Sequence, residues 1–391
     1  MGYMNNVWKL YLIRFFHNLI PAYVIERLFW EQRGMSIQMV VYTEIIYAIT
    51  VVLFEIPTGI AADKWGRKKL IIADAFLGVC ELLILIYATK FWHFAAAIFL
   101  AGIGRAAGSG SENALLYDSL ISEGKEDLFE KYLGRLNAMD LVAGILAALS
   151  GSLLADLYGF ELNYRISCIG MFVSLCISFM LAEPEVKSMA DKPIPVKEYV
   201  IASVNFFRKN HGVCLVILSA MVAGSAMIFV DEFWQLYISR IGIPVVYFGL
   251  FSAGLTLLRL PGSVLAYRIK KLTGYRRLIS YIIFVFAAGL LYMSLVRGFS
   301  SIVMIFLLCL VSGILEPAAA GYLHHRIDSS MRATIDSFQS LGLRAITAIA
   351  GLGFGFFSSR YDIYGGYGFT AVICFAFLMY FIIISRKVIQ E

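Results

Sequence analysis

The sequence has few charged residues for its length. Only 15% of its 391 residues are Asp, Glu, Lys or Arg, and 60% are apolar. Soluble domains carry about a quarter charged residues. This composition excludes an ordinary soluble domain and indicates a chain that crosses the bilayer several times. We therefore expect an all-α polytopic membrane protein.

The signatures of several catalytic and metal-binding classes are also absent from the sequence. There is no Walker loop, so direct use of ATP is not expected. Gly102-Ile-Gly104 lies inside an apolar run and not between a strand and a helix, so it is no dinucleotide fingerprint. The six cysteines form no CxxC pair. We expect no enzyme, no catalytic residue, no cofactor and no metal.

Apolar runs long enough to cross about 30 Å of hydrocarbon at 1.5 Å per residue recur along the chain. We predict twelve transmembrane helices, near 7–32, 38–62, 70–89, 92–118, 132–158, 164–182, 212–238, 245–268, 277–296, 299–323, 332–358 and 366–385. One long polar segment follows the sixth. It divides the chain into an N-terminal bundle at 1–183, a cytoplasmic linker at 184–211 that could hold an amphipathic helix, and a C-terminal bundle at 212–391.

The net charge of +6 comes mainly from cations in the short loops between apolar runs. Five loops on one side hold clusters of Lys and Arg, at 64–69, 125–131, 187–209, 268–277 and 326–332, whereas the opposite loops hold about one cation each. Cytoplasmic loops carry the excess of Lys and Arg. We therefore expect both termini in the cytoplasm of a bacterial-type inner membrane, and no nucleic-acid partner.

The two halves resemble each other at an offset of 204 residues. Glu55-Ile-Pro57 aligns with Arg259-Leu-Pro261, and Glu112 aligns with Glu316. Asp63 of the first half aligns with Tyr267 of the second. Parallel repeats of this kind occur in transporters whose substrate site lies at the midplane between two halves. We therefore expect two pseudo-symmetric six-helix bundles.

Residues 55–70, EIPTGIAADKWGRKKL, place two glycines, an aspartate and a row of cations between two apolar runs. This stretch resembles the signature of the loop between helices 2 and 3 in the major facilitator superfamily. The resemblance implies transport by alternating access, by a monomer in contact with lipid. It implies a cytoplasmic gate formed by Gly59, Asp63, Gly66, Arg67 and Lys68, with Asp63 close to Arg332.

Charges near the middle of a bilayer cost about 2.5–3.5 kcal/mol each on insertion scales, so they are functional candidates by default. In the family that this chain resembles, spans 1, 4, 7 and 10 line the cavity. The resemblance and the polar stripe on span 11 together give the candidates for substrate or proton pathway: Arg14, Asn18, Arg105, Glu112, Asp231, Glu316 and Arg344. Glu112 and Glu316 could carry protons, or could neutralise Arg105 and Arg344.

Three functions remain open from the sequence. The leading hypothesis is efflux of amphipathic small molecules coupled to protons, as in the drug-efflux branch of the superfamily. The alternative is uptake or exchange of an organic anion, because intramembrane arginines can bind anions through bidentate contacts. A non-transporting sensor on the same fold is the third, although it would need no proton pathway.

Overall fold

The structure is a computed structural model of the chain. It describes residues 3–184, 210–324 and 332–388, without the side chains of 324 and 332–337. All regular structure in these ranges is helical. The predicted linker lies almost entirely outside the described residues.

The first half contains seven α-helices: α1 Met4–Asn18, α2 Glu26–Gln32, α3 Ile37–Trp65, α4 Arg67–Ile86, α5 Phe91–Ile121, α6 Phe129–Tyr158 and α7 Phe160–Phe179. Short 3₁₀ helices precede α2 and α6, at Pro21–Ile25 and Glu126–Leu128. Helix α3 begins where the Ser36 hydroxyl accepts a hydrogen bond from the amide of Met39 (3.2 Å). Gly66, at φ +97°, separates α3 from α4 in a conformation that favours glycine.

The described part of the second half contains four long helices: α8 His211–Arg240, α9 Phe248–Leu295, α10 Ser300–His324 and α11 Arg332–Val388, with a 3₁₀ helix at Val245–Tyr247. Helix α9 is broken at Gly274, where φ is 75° and ψ is 160°. Helix α11 is broken at Tyr361 and Asp362, and Asp362 has φ 54°. Each of these two helices therefore consists of two helical segments that meet at a break.

Eight helical segments of the described chain are long and apolar enough to cross a membrane. Two of the eight contain the breaks in α9 and α11. Helix α1, which covers only the first part of the first predicted span, and helix α4, which lies at the third, are not among the eight. The chain is thus an all-helical integral membrane protein, and the number of twelve spans in two bundles of six stays a prediction.

The first predicted span, 7–32, is wrong as a continuous helix. Helix α1 ends at Asn18, and the chain continues through Leu19 and Ile20 into the 3₁₀ helix that starts at Pro21. Proline lacks the amide hydrogen that a helix interior needs and collides with the preceding turn. The sequence Asn18-Leu-Ile-Pro21 therefore contained the signal for this break.

The chain forms two compact units. Unit 1 comprises Met1–Ala190 and Ile243–Ala253, and unit 2 comprises Asp191–Gly242 and Gly254–Glu391. The predicted borders at 183 and 212 stay a prediction, because 185–209 lie outside the described residues.

Glycines bring helices close together inside unit 1. A methyl group at Gly102 on α5 would lie 2.8 Å from Cβ of Thr50 on α3. A methyl group at Gly78 on α4 would lie 3.0 Å from the Met171 side chain on α7. Small residues at such crossings let membrane helices gain van der Waals contact. An apolar cluster at the end of the unit near Met4 completes the core: Val7, Leu10, Ile13, Ile71, Leu115, Leu116, Leu120, Leu136 and Leu181.

Unit 2 is organised around α8, the most buried of its helices. The ring of Phe354 on α11 stacks against Phe229 and Phe233 of α8, with centroids 4.6 and 5.0 Å away. Helices α9 and α10 cross at glycines, because a methyl group at Gly262 would lie 3.2 Å from Cα of Gly313. Close backbone approach and aromatic stacking therefore hold this unit together.

Candidate functional site

Arg14 lies at the centre of a charge cluster in unit 1, in which Glu112 is buried and Arg14 and Asp140 are half-buried. Its Nη1 donates to Glu112 of α5 at 2.8 Å, and its Nη2 donates to Asp140 of α6 at 2.6 Å. The Glu112 side chain is 7% exposed, and those of Arg14 and Asp140 are 21% and 28% exposed. One guanidinium thus links α1, α5 and α6 by binding two carboxylates. When both acids are ionised, the three side chains together have a net charge of −1.

Asn18 extends this cluster by one helical turn. Its side-chain amide donates to Oδ1 of Asp140 and to the carbonyl of Arg14, both at 2.9 Å. Both oxygens of the Asp140 carboxylate therefore have donors from α1. Asp140 was not among the predicted site residues, because its span is not one of those that line the cavity in the family that this chain resembles.

Two backbone groups of the segment that follows Asn18 bond to side chains of α7. The buried amide of Asn163 donates to the carbonyls of Pro21 (3.3 Å) and Gly151 (2.8 Å). The amide of Ala22 donates to the Ser167 hydroxyl at 3.1 Å. In lipid, each exposed backbone group without a partner is costly, so an irregular segment survives only where the protein supplies such partners. Asn163 was missed by the sequence reasoning.

Arg105 does not bind Glu112, although the two residues lie seven apart on one helix. Arg105 is exposed, and it makes no ion pair with any described residue. The hypothesis that Glu112 neutralises Arg105 is therefore wrong, because the cation that neutralises Glu112 is Arg14. Shared helical phase puts two side chains on one face, but a two-turn separation is too long for contact.

The loop between α3 and α4 is held on both sides. Arg67 forms an ion pair with Asp118 of α5, and its Nη1 also donates to the carbonyl of Ala114 at 2.9 Å. The Glu183 carboxylate accepts from the amides of Arg67 (2.8 Å) and Lys68 (2.7 Å). It thereby caps the first turn of α4, where a negative charge is favourable.

The other predicted gate residues lie next to this loop without further recorded contacts. Gly59 and Asp63 lie in the last two turns of α3, and both are exposed. The side chain of Arg332, the predicted neighbour of Asp63, lies outside the described residues. The gate assignment therefore stays a prediction, with Asp118 and Glu183 as partners that the sequence reasoning did not name.

In unit 2, the candidate Asp231 of α8 forms an ion pair with Arg259 of α9. Glu316 on α10 is exposed and Arg344 on α11 is half-buried, and neither makes an ion pair within the described part of the chain. No ion pair among the described residues therefore supports the hypothesis that Glu316 neutralises Arg344. The site residues of this unit stay predictions.

Two further acids of unit 1 lie on α4. Asp74 lies against Gly104 and Gly108 of α5, and Glu81 is 8% exposed. Neither was among the predicted site residues, and Asp74 was overlooked altogether. Its position between Ala73 and Ala75 within the apolar start of a span was the available signal.

Comparisons with known proteins agree with this architecture. The sequence model described as Major Facilitator Superfamily matches residues 10–340. A bicyclomycin resistance protein homolog of Haemophilus influenzae is 24% identical over 221 residues, which are 56% of this chain and 54% of that protein. An uncharacterized transporter of Buchnera aphidicola is 30% identical over 136 residues, 35% of this chain and 33% of that protein. The chain thus matches about half or less of these relatives' lengths.

Solved structures with the same fold cover nearly the whole chain. The nucleoside transporter NupG aligns with a TM-score of 0.76 at 13% identity, covering 98% of this chain and 99% of that one. A bacterial homolog of the human lysosomal transporter Spinster, in an inward-facing and unoccupied conformation, aligns with a TM-score of 0.75 at 14% identity, covering 99% and 98%. At such identities the likeness shows the fold alone.

Proposed function

Since the chain belongs to the major facilitator superfamily, we propose that it is a secondary active transporter that exports amphipathic small molecules in exchange for protons. Membership makes it an integral membrane protein and a transporter rather than an enzyme. The substrate, the direction and the coupling ion are the parts proposed here. Alternating access of the two units is the mechanism that the family implies.

The observation that carries the proposal is the charge cluster around Arg14. A guanidinium and two carboxylates inside membrane helices are expensive, and such groups mark substrate or ion pathways in membrane proteins. One arginine facing two acids has a carboxylate in excess, so a proton or a cationic substrate can restore neutrality. A protein that only needed stability would gain more from apolar side chains at these positions.

Efflux as the direction is supported by one relative, the bicyclomycin resistance protein homolog, whose name connects that protein to drug resistance. The aromatic residues, 15% of the sequence, suit contacts with amphipathic compounds. Twelve spans, with both termini in the cytoplasm of a bacterial inner membrane, belong to the same proposal. The breaks in α9 and α11 and the basic loops support this topology.

We assign the cytoplasmic gate to Gly59, Asp63, Gly66, Arg67 and Lys68. The Arg67–Asp118 ion pair and the Glu183 cap fix the loop to α5 and to the end of α7. Asp63 is exposed near the end of α3, and the resemblance to the family gives it a role in closing the cytoplasmic side. Asp63→Asn should therefore raise the inward-facing population, as measured by labelling of cysteines placed at the cytoplasmic ends of the helices. An unchanged labelling rate would contradict this role.

A second candidate function is uptake or exchange of an organic anion. Arg105 and Arg344 support it, because neither makes an ion pair with a described residue and a free guanidinium can bind a carboxylate or phosphate bidentately. Under the efflux proposal, by contrast, acids would dominate the contacts to substrate.

Transport of radiolabelled bicyclomycin into inverted membrane vesicles separates these functions. We expect uptake that rises when the vesicle lumen is made acidic and that falls when a protonophore abolishes the gradient. Vesicles with the Glu112→Gln variant should lose the response, whereas Asp156→Asn, which removes an exposed acid at the end of α6, should retain it. Flux that ignores the pH gradient would refute proton coupling. Competition by simple carboxylates that disappears in Arg105→Ala would favour the anion transporter.

A further inference from the structure

Unit 2 contains a cavity where α9 ends and α11 breaks. Its volume is about 570 Å³, and its walls come from Ser294 and Arg297 at the end of α9 and from both segments of α11. Cavities that hold a ligand are of this size, roughly 300–1,000 Å³. None of the residues that line it is among the predicted site residues. The cavity therefore needs an explanation other than the charge cluster of unit 1.

The cation of this cavity, Arg297, lies on an aromatic platform. Its guanidinium is 4.5 Å from the centroid of the Tyr364 ring. Tyr364 is buried, and its ring packs edge to face against Tyr237 with the centroids 5.5 Å apart. The Tyr237 hydroxyl in turn donates to the carbonyl of Met293 at 2.9 Å. A guanidinium that stacks by its face keeps its N–H donors at its edge, so Arg297 can still bind an anion through two parallel hydrogen bonds.

The charges at this end of unit 2 sum to a positive value. The charged groups within electrostatic range of Tyr364 are Arg297, Asp362 and Arg240. The Asp362 carboxylate accepts from Nε of Arg240 at 2.8 Å. Arg297 is exposed and makes no ion pair with any residue that the structure describes. One net positive charge therefore lies at the edge of the cavity, and an anion is its complement.

An exposed apolar stripe leads from the cavity along the second segment of α11. It consists of residues three or four positions apart, which share one face of the helix: Gly365, Gly368, Val372, Ala376, Met379 and Ile383. The first three line the cavity. Val372, Met379 and Ile383 are 63%, 62% and 61% exposed, and the stripe from Val372 to Ile383 is about 16 Å long. A face of this length without a charged residue suits contact with the hydrocarbon of a bilayer.

We propose that unit 2 binds a phospholipid of net negative charge, with its phosphodiester on Arg297 and one acyl chain along the stripe from Val372 to Ile383. A free anion would use the guanidinium alone, and an uncharged lipid would use the stripe alone, whereas an anionic phospholipid uses both. Basic pockets between membrane helices bind such head groups elsewhere. In the predicted topology this lipid belongs to the leaflet away from the basic loops. The inference does not depend on the substrate, direction or coupling proposed above.

Native mass spectrometry of the full chain in detergent micelles, titrated with dioleoyl phosphatidylglycerol, tests this site. We expect one tightly bound copy, whose affinity falls about tenfold or more in Arg297→Gln because charge-assisted hydrogen bonds are lost. Arg297→Lys should bind with intermediate affinity, since it keeps the charge but not the planar pair of donors, and it decides if Arg297→Gln does not fold. The matched control is Arg360→Gln, because Arg360 is exposed and stacks on Phe356 outside the cavity lining. This control should keep the wild-type affinity.

Three results of the titration would overturn the inference. Unchanged affinity in Arg297→Gln, or an equal loss in Arg360→Gln, would mean that Arg297 does not form a specific site. Equally tight binding of dioleoyl phosphatidylethanolamine would exclude selection of an anionic lipid. Displacement of the lipid by an equal concentration of glycerophosphoglycerol, which has the head group without acyl chains, would mean that the stripe adds nothing.

Crosslinking locates the acyl chain. A phosphatidylglycerol that carries a diazirine midway along one acyl chain should attach to the part of α11 that contains 372–383. The attachment should be lost in Arg297→Gln and kept in Arg360→Gln. Attachment only to other segments, or equal attachment in both variants, would refute the proposed position of the lipid.

Discussion

The break after α1 predicts unequal effects for two glycines of α6. Gly151 lies against this segment, since a methyl group there would collide with the carbonyl oxygen of Pro21 and approach Cγ1 of Val24 to 2.9 Å. Gly144, two turns away on the same helix, has no atom within 4 Å of the corresponding position. The substitutions Gly151→Ala and Gly144→Ala therefore form a matched pair that differs only in the packing around the added methyl group.

The expected magnitudes follow from opposing contributions. Alanine in a helix interior is favoured over glycine by about 1 kcal/mol, and both variants gain this. Overpacking costs about 1–3 kcal/mol, and it applies at Gly151 because a backbone carbonyl cannot rotate away as a side chain would. Moving that carbonyl also strains the bridge from Asn163, worth about 1 kcal/mol. Gly151→Ala should therefore be less stable than Gly144→Ala by about 2–4 kcal/mol.

Reversible unfolding of both variants in mixed micelles with increasing dodecyl sulfate measures this difference. Gly144→Ala should unfold at or above the wild-type midpoint, and Gly151→Ala clearly below it. Equal midpoints for the two alanine variants would refute the reasoning, because they would mean that α6 does not press on the unwound segment. A lower midpoint for Gly144→Ala alone would refute it more strongly.

Three further substitutions test the contacts of unit 1 in the same unfolding assay. Arg14→Gln should lower the free energy of unfolding by about 3 kcal/mol, because it leaves two acids without their cation. The control is Arg165→Gln, whose side chain is 63% exposed; an equally small loss for both variants would contradict the structural role of Arg14. Asn163→Ala should lower the free energy of unfolding by about 1–3 kcal/mol, because the carbonyls of Pro21 and Gly151 lose their hydrogen-bond donor. Asn137 is exposed, so Asn137→Ala should have almost no effect, and equal midpoints for the two variants would contradict the structural role of the Asn163 hydrogen bonds. Glu183→Ala should cost up to about 1 kcal/mol and speed amide exchange in the first turn of α4, and unchanged exchange there would exclude the cap.

The membrane class, most helix positions and the basic loop could be predicted from the sequence because each depends on local pattern. Helix α3 spans Ile37–Trp65 where the hydropathy indicated 38–62, and Gly66 makes the turn expected of it. The pattern of residues 55–70 placed Arg67 in the predicted gate but gave it no partner. Its partner Asp118 lies on another helix, and no pattern within one helix reports such a contact.

Apart from the break after Asn18, the parts that sequence reasoning missed are contacts between helices. Asn163 and Ser167 look like ordinary polar residues of a membrane span until the carbonyl of Pro21 and the amide of Ala22 are placed beside them. Asp74 looks misplaced until two glycines of α5 are seen to make room for it. In a bilayer each polar group must find a partner within the protein, so the requirement was predictable but the identity of the partner was not.

The ion pair between Arg14 and Glu112 bears on the charge of the substrate, because it leaves Glu112 unavailable to Arg105. If Glu112 had neutralised Arg105, an anionic substrate that binds Arg105 would have had to displace a carboxylate. With Glu112 held by Arg14, Arg105 is left exposed and unpaired among the described residues. An anion could therefore bind Arg105 without breaking an ion pair, whereas a cation would be repelled there. Consequently Arg105→Ala should weaken transport of an anion and leave or improve transport of a cationic compound, and the sign of that single change distinguishes the two proposed functions.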